Sequence, residues 1–252
     1  MGRHAAPTGA RFLAIIRQGG HAHHQGGDLT QMRLFGRYNS PYVRRVAVTL
    51  QLYGFDYDHD SVIPFGDGKS GLANLNPITR VPVLELEGGE CLIDSAAIID
   101  HLDELAGPDH ALTPRDGPLR RRVLSLLGVE LGIMDKLVSV LYERQFRPRE
   151  KWHQPWIEAC ETQIRDGFHW LDGRCEGDWL TGAKMTQADL SLAVFWDFAT
   201  RLRPNFFANF NCSHIDKITE KLRITPAFDD TLPTEGALSA KLIEEQVKET
   251  AI

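Results

Sequence analysis

Asn39-Ser40-Pro41-Tyr42-Val43-Arg44-Arg45-Val46-Ala47-Val48-Thr49-Leu50 is the stretch on which the reading of the fold turns. Ser40 before Pro41 marks a helix start: a hydroxyl at the N-cap, then a proline whose missing N–H costs nothing at the first helical position. Val43, Val46, Ala47 and Leu50 recur at i, i+3, i+4 and i+7, which is one buried helical stripe, and Gly54 supplies the stop. Upstream, Arg33 to Gly36 reads as a short strand. Downstream, Phe55 and Tyr57 alternate with Asp56 and Asp58, so a second strand follows the helix.

The pattern continues through a short helical stretch over Ser70 to Leu75, then Asn76-Pro77, then Val81-Pro82-Val83-Leu84-Glu85-Leu86. Proline is tolerated at a strand start, so this is a third strand. Gly88-Gly89 signals a hairpin, with Cys91-Leu92-Ile93 as its return strand. Asp94-Ser95 caps a further helix whose stripe is Ile98, Ile99, Leu102 and Leu105. Residues 107–118 hold Gly107, Pro108, Pro114, Gly117 and Pro118, the expected linker. Beyond it the texture is helical. Leu119, Val123, Leu126, Leu127, Leu131, Met134, Leu137, Val138 and Leu141 keep a helical period up to Pro148. A second helix is expected from about Pro155 to Cys175. A third opens at Thr186-Gln187-Ala188-Asp189, a capping-box pattern, and runs through Leu190, Val194 and Phe198. All five tryptophans lie in this half, and most are assigned to packing.

Composition narrows the class. Hydrophobic residues at 42% and charged residues at 25% are the mix of a water-soluble globular chain. The net charge of -6 argues against a general nucleic-acid binder, and Arg120-Arg121-Arg122 reads as a solvated helix face. No apolar run reaches the ~20 residues that span a bilayer. The four cysteines (91, 160, 175, 212) are widely spaced without Cys-x-x-Cys, which is neither a zinc pattern nor a redox dithiol, and free thiols suit a reducing cytoplasm. The first 31 residues are rich in Gly, His and Ala and are expected to be a disordered extension, with Met32 as an alternative start. Another, ordered use and an organelle-type transit peptide are the other readings of this segment. His21, His23 and His24 there read as an unstructured cluster rather than metal ligands.

Three places carry chemistry. Ser40 sits at a helix N-terminus, where N–H groups and the helix dipole favour an anion. Val81-Pro82, if cis, exposes the Val81 backbone to pair with an extended peptide. Asp94-Ser95, a carboxylate and a hydroxyl at a helix start, suits the ammonium and carboxylate of one amino-acid group. Taken singly, each is also explained by helix capping or strand geometry.

Together and in this order, they resemble the N-terminal domain of cytosolic glutathione transferases. The markers are Ser40-Pro41-Tyr42-Val43-Arg44-Arg45-Val46, Asn76-Pro77 with Arg80-Val81-Pro82-Val83-Leu84, and Asp94-Ser95-Ala96-Ala97-Ile98-Ile99. Residues 119 to about 228 resemble the family's helical domain, including Thr186 and Asp189 of its capping motif. The resemblance implies a thioredoxin-like α/β domain (βαβαββα) over 32–106, an all-α domain over 119–230, and a tail or helix over 231–252. It implies a serine-type, bacterial-like transferase that uses glutathione as co-substrate, needs no metal, and works as a cytoplasmic homodimer on a small electrophile. By position, Ser40 would donate to the glutathione sulfur. Val81 would pair with the cysteinyl part, with Pro82 cis. Asp94 and Ser95 would bind the γ-glutamyl end, and Arg80 would stand near the glycine carboxylate.

Glutaredoxin-like proteins carry Cys-Pro-Tyr-Cys at this turn, whereas here it is Ser40-Pro41-Tyr42-Val43. With both sulfurs gone, dithiol exchange is not expected. Tyr38 competes as thiol activator, and Ser40 is favoured by its N-cap position. Two other functions stay open. One is a glutathione-dependent isomerase like the maleylacetoacetate isomerases, whose turn carries Ser-Ser-Cys rather than Asn39-Ser40-Pro41. The other is a non-catalytic binding module on the same fold.

Overall fold

The computed structural model describes residues 32–65 and 68–233. The expected extension over 1–31, with its histidines, and the segment Ser239 to Ile252 lie outside the described residues.

The chain opens as β1 (Met32–Phe35), α1 (Pro41–Tyr53) and β2 (Tyr57–Asp60). Then come α2 (Gly68–Ala73), the hairpin β3 (Val83–Glu85) and β4 (Cys91–Ile93), and α3 (Ser95–Ala106). The four strands form one sheet in the order β2-β1-β3-β4, with β1 parallel to β2 and the other pairs antiparallel. The remainder is helical: α4 (Gly117–Phe146), a 3-10 turn (Arg149–Lys151), α5 (Gln154–Asp172), α6 (Gln187–Leu202), α7 (Pro204–Phe207), α8 (Ser213–Arg223) and α9 (Pro226–Asp229). At 30 residues α4 is about 45 Å long and starts inside the expected linker.

The stripe predicted for α1 is buried: Val43, Val46, Ala47 and Leu50 pack with Leu34, Leu84, Ile98, Ile99 and Leu102 between the sheet and α3. Gly54 ends the helix in the left-handed region, its N–H bonded to the carbonyls of Leu50 and Gln51. The opposite side of α1 is buried too. Val48 belongs to the core of the helical half, and Arg44 and Arg45 are 2% and 1% exposed. α1 is therefore a shared wall between the two halves. Arg44 donates to Asp197 of α6 at 2.5 Å and to the Phe228 carbonyl at 3.0 Å, with its guanidinium over the Phe228 ring. Thr49 and Gln187 bond one step further along.

α6 begins with the capping box read from the sequence. Asp189 accepts from Thr186 N–H and from its hydroxyl, both at 2.8 Å, and its other oxygen takes Leu180 N–H at 2.7 Å. Arg120 and Arg122 do not form a free cationic face. Arg120 bonds the Pro114 carbonyl and Asp100, and Arg122 bonds Glu176 and the Leu180 carbonyl.

One expectation about packing needs correction. Leu105 and Leu119, placed in buried stripes, are 51% and 45% exposed, each in a terminal turn of its helix where neighbouring elements no longer cover it. Three of the five tryptophans pack as expected: Trp196 is buried, and Trp152 and Trp179 are half-buried against the core. Trp156 and Trp170 lie on the outer side of α5, covered by Lys136 and Arg174 as cation–π partners rather than by core. The four cysteines are free thiols, Cys160 and Cys212 buried. No helix among the described residues is long and apolar enough to cross a membrane.

Candidate functional site

Sheet register gathers the sequence-predicted residues at one edge. Phe35 pairs with Val83, and Val83 with Ile93. Continuing that antiparallel register one step brings Gly36, Pro82 and Asp94 side by side, with Val81 and Ser95 just beyond. Ser40 follows Gly36 by a single turn, in which Ser40 N–H donates to the Arg37 carbonyl at 2.9 Å.

Ser40 is the N-cap of α1 in an extended conformation, half-buried, and its Oγ accepts the Val43 N–H at 3.4 Å. A serine hydroxyl both accepts and donates. Among the described residues, no acceptor takes the Ser40 proton. Capping and donation to an incoming anion are therefore compatible here.

The Val81–Pro82 peptide bond is cis. Asn76, 1% exposed, shapes the loop before it: its Oδ1 accepts from Ile78 N–H at 3.0 Å and its Nδ2 donates to the Arg80 carbonyl at 2.9 Å. Asp94 is exposed at the N-cap of α3, with φ 76°, and its Oδ1 accepts from Ala96 N–H at 2.8 Å. Ser95 next to it is 2% exposed. Arg80 is exposed and lies toward α4, where its charge reaches the hydroxyls of Tyr42 and Tyr142; burial pushes both phenols up and Arg80 pulls them down.

Tyr38 faces the other way. Its hydroxyl is 2.9 Å from that of Tyr57 on β2, and its ring stacks on His59 at 4.0 Å. Burial and the Tyr57 contact push the phenol upward, away from ionisation. β2 lies on the opposite side of β1 from β3, so these contacts turn Tyr38 from the edge where Ser40, Val81 and Asp94 meet.

Three further residues join the site in roles that the sequence motif does not reveal. Gly36, with φ 126°, stands where an added Cβ would lie 2.5 Å from Val43 Cγ2 and 2.9 Å from Val81 Cβ, so it lets α1 and the Val81 strand approach. Only the pair of a strand end and Val81 far downstream reveals that need. Tyr42 donates to Asp135 of α4 at 3.0 Å, closing the two halves beside Ser40. Arg45 is buried under the same edge. Desolvation lowers it to about 10, while Glu130, Asp94 and Tyr42 favour its charged form.

Residues 34–110 match the N-terminal domain of glutathione S-transferases. The GST-like protein YibF of Escherichia coli K12 is 29% identical over 208 residues, covering 81% of this chain and all of that protein. The maleylacetoacetate isomerase of Pseudomonas aeruginosa is 35% identical over 163 residues, covering 58% of this chain and 74% of that protein. The glutathione S-transferase of Methylobacterium radiotolerans, solved in complex with glutathione sulfonate, superposes with a TM-score of 0.73 at 25% identity over 81% of this chain and 95% of that one. The fold is a thioredoxin-like α/β unit followed by helices. The chain belongs to the cytosolic glutathione S-transferase family.

Proposed function

We propose that this protein is a glutathione transferase that binds glutathione along the Ser40–Val81–Asp94 edge and holds its thiol as the thiolate for attack on a small electrophile. The observation that carries the reading is Ser40: an N-cap hydroxyl with an uncommitted proton, on the helix whose N–H dipoles point at the same spot. An ordinary thiol, pKa about 8.5, is only a few per cent ionised at neutral pH, and the thiolate is the nucleophile. A hydroxyl donor and a helix N-terminus both favour the charged form. Ser40 is thus a donor and not itself the nucleophile.

In this reading the Val81 backbone takes the cysteinyl residue, Asp94 the γ-glutamyl ammonium, Ser95 its carboxylate and Arg80 the glycine end. Residues 32–106 form the glutathione-binding unit, 107–118 the linker and 119–230 the helical unit. The protein acts as a homodimer in the cytoplasm. The structural relative from Methylobacterium radiotolerans binds a glutathione derivative, which supports the choice of co-substrate.

A second reading, glutathione-dependent cis–trans isomerisation, is favoured by the similarity to the Pseudomonas aeruginosa isomerase. Against it stands the turn Asn39-Ser40-Pro41, where those isomerases carry Ser-Ser-Cys. Calorimetric titration with glutathione, on wild type and on Asp94→Ala and Ser40→Ala, tests the reading. Asp94→Ala is expected to weaken binding about tenfold or more, and Ser40→Ala to leave binding and remove most turnover. Absence of glutathione binding to the wild type would leave a binding module of another kind.

A further inference from the structure

Gly36, Arg37, Tyr38, Asn39 and Ser40 make the turn between β1 and α1, and β2 holds it from the side away from Val81 and Asp94. Gly36 N–H donates to the Asp60 carbonyl at 2.9 Å, at the end of the β1–β2 ladder. His59 Nε2 lies 2.7 Å from the Gly36 carbonyl oxygen. A carbonyl can only accept, so the imidazole carries a proton on Nε2 and donates it there. The Tyr38 ring lies flat on the His59 ring, with 4.0 Å between centroids and 3° between planes. Register explains the reach of β2. His59 pairs with Leu34, which is fully buried in the core beneath α1, and alternation places Tyr57 on the same face. Among the described residues no other group donates to the Gly36 carbonyl. Gly36 has φ 126° and no side chain to limit it, so a peptide plane released here would turn and carry Ser40 with it.

We propose that His59 is a positioning residue for the Ser40 hydroxyl. Its bond to the Gly36 carbonyl and its stack on Tyr38 fix the turn from which Ser40 reaches the glutathione sulfur. The inference rests on the transferase reading above and adds to it a residue outside the Ser40–Val81–Asp94 edge. β2 lies across β1 from β3, so His59 works through the turn rather than on glutathione itself. A hydroxyl stabilises a thiolate only over a narrow range of distance and angle, so a small displacement of Ser40 makes the bound thiol harder to ionise. The contacts assigned to Val81 and Asp94 lie on the other side of β1 and hold glutathione in either case.

Thiolate absorbance of saturating glutathione at neutral pH, with calorimetric affinity alongside, tests the inference on wild type, Ser40→Ala, His59→Leu and His59→Gln. Leucine keeps bulk and removes the donor, whereas glutamine returns an N–H at similar reach. His59→Leu is expected to lose about two thirds or more of the thiolate band while binding glutathione within about threefold of wild type. His59→Gln is expected to recover most of the band. A full band in His59→Leu would overturn the inference and leave the Ser40 reading intact, provided Ser40→Ala loses its band. A loss common to both His59 variants, of the band, of affinity or of the folded state, would also overturn it, because His59 would then be a packing contact. No band in the wild type, or an undiminished band in Ser40→Ala, would overturn both.

Discussion

Arg45 of α1 and Glu130 of α4 are each 1% exposed, oppositely charged and electrostatically coupled, yet Arg45 Nε and Nη1 and both Glu130 carboxylate oxygens lack any hydrogen-bond partner among the described residues. They are attached to the two helices that bound the site. Burial lowers the Arg45 pKa and pushes the Glu130 carboxyl well above the usual carboxylate range, against the pull of Arg45. Arg45→Met leaves Glu130 buried without its cation. We expect a loss of about 3–5 kcal/mol in urea unfolding, and recovery of most of it in Arg45→Met/Glu130→Leu. A carboxyl whose folded pKa is raised gives stability that is full below its unfolded pKa and lost as pH rises through the folded value. The Arg45→Met deficit is accordingly expected to be larger at about pH 8 than at about pH 5. Equal deficits at both, or no recovery in the double variant, would contradict the coupling.

Gly36→Ala places a methyl against Val43 and Val81 at a backbone angle that side chains rarely adopt. The expected cost is about 2 kcal/mol or more of stability. Because the clash pushes α1 away from Val81, glutathione affinity should fall as well. Thermal unfolding with and without glutathione checks both parts. A stable variant with undiminished affinity would show that the close approach is unnecessary.

Tyr38→Phe removes the hydroxyl bonded to Tyr57 and leaves the ring stack on His59. Stability is expected to drop by about 1 kcal/mol, with kcat unchanged within about twofold. A collapse of kcat to the level of Ser40→Ala would make Tyr38 the thiol activator instead.

Asp197 is the buried anion that holds the helical half on α1. It accepts from Arg44 at 2.5 Å and Arg223 at 2.8 Å, with Arg201 at 3.5 Å. Burial raises its pKa, but Arg44 and Arg223 outweigh burial and the net shift is downward. A carboxylate with a depressed folded pKa contributes stability that is present above its unfolded pKa, about 3.9, and is lost as pH falls through the folded value. Asp197→Asn should therefore cost about 3–5 kcal/mol near neutral pH and flatten the acid limb of the stability profile. An unchanged acid limb in urea unfolding from neutral pH downward would contradict this.

Local signals were legible in the sequence because their physics is local. The Ser40–Pro41 start, the Val43/Val46/Ala47/Leu50 stripe and the Thr186–Asp189 capping box depend on residues within two turns of one another. The burial of Arg44 and Arg45 was hidden, because adjacent arginines on a helix ordinarily face water and their partners stand far along the chain, at Asp197 and Glu130. Gly36 reads as a strand end for the same reason. Ser40, Val81, Asp94 and Ser95 stand out as a set in the sequence, and the sheet register with the turn after Gly36 brings them to one edge.

The most direct test of thiol activation is the ultraviolet thiolate absorbance of glutathione added to the protein at neutral pH, with Ser40→Ala alongside. The wild type is expected to show the thiolate band and Ser40→Ala, still binding glutathione, to lose most of it. Equal thiolate in both proteins, or none in the wild type, would contradict the role assigned to Ser40.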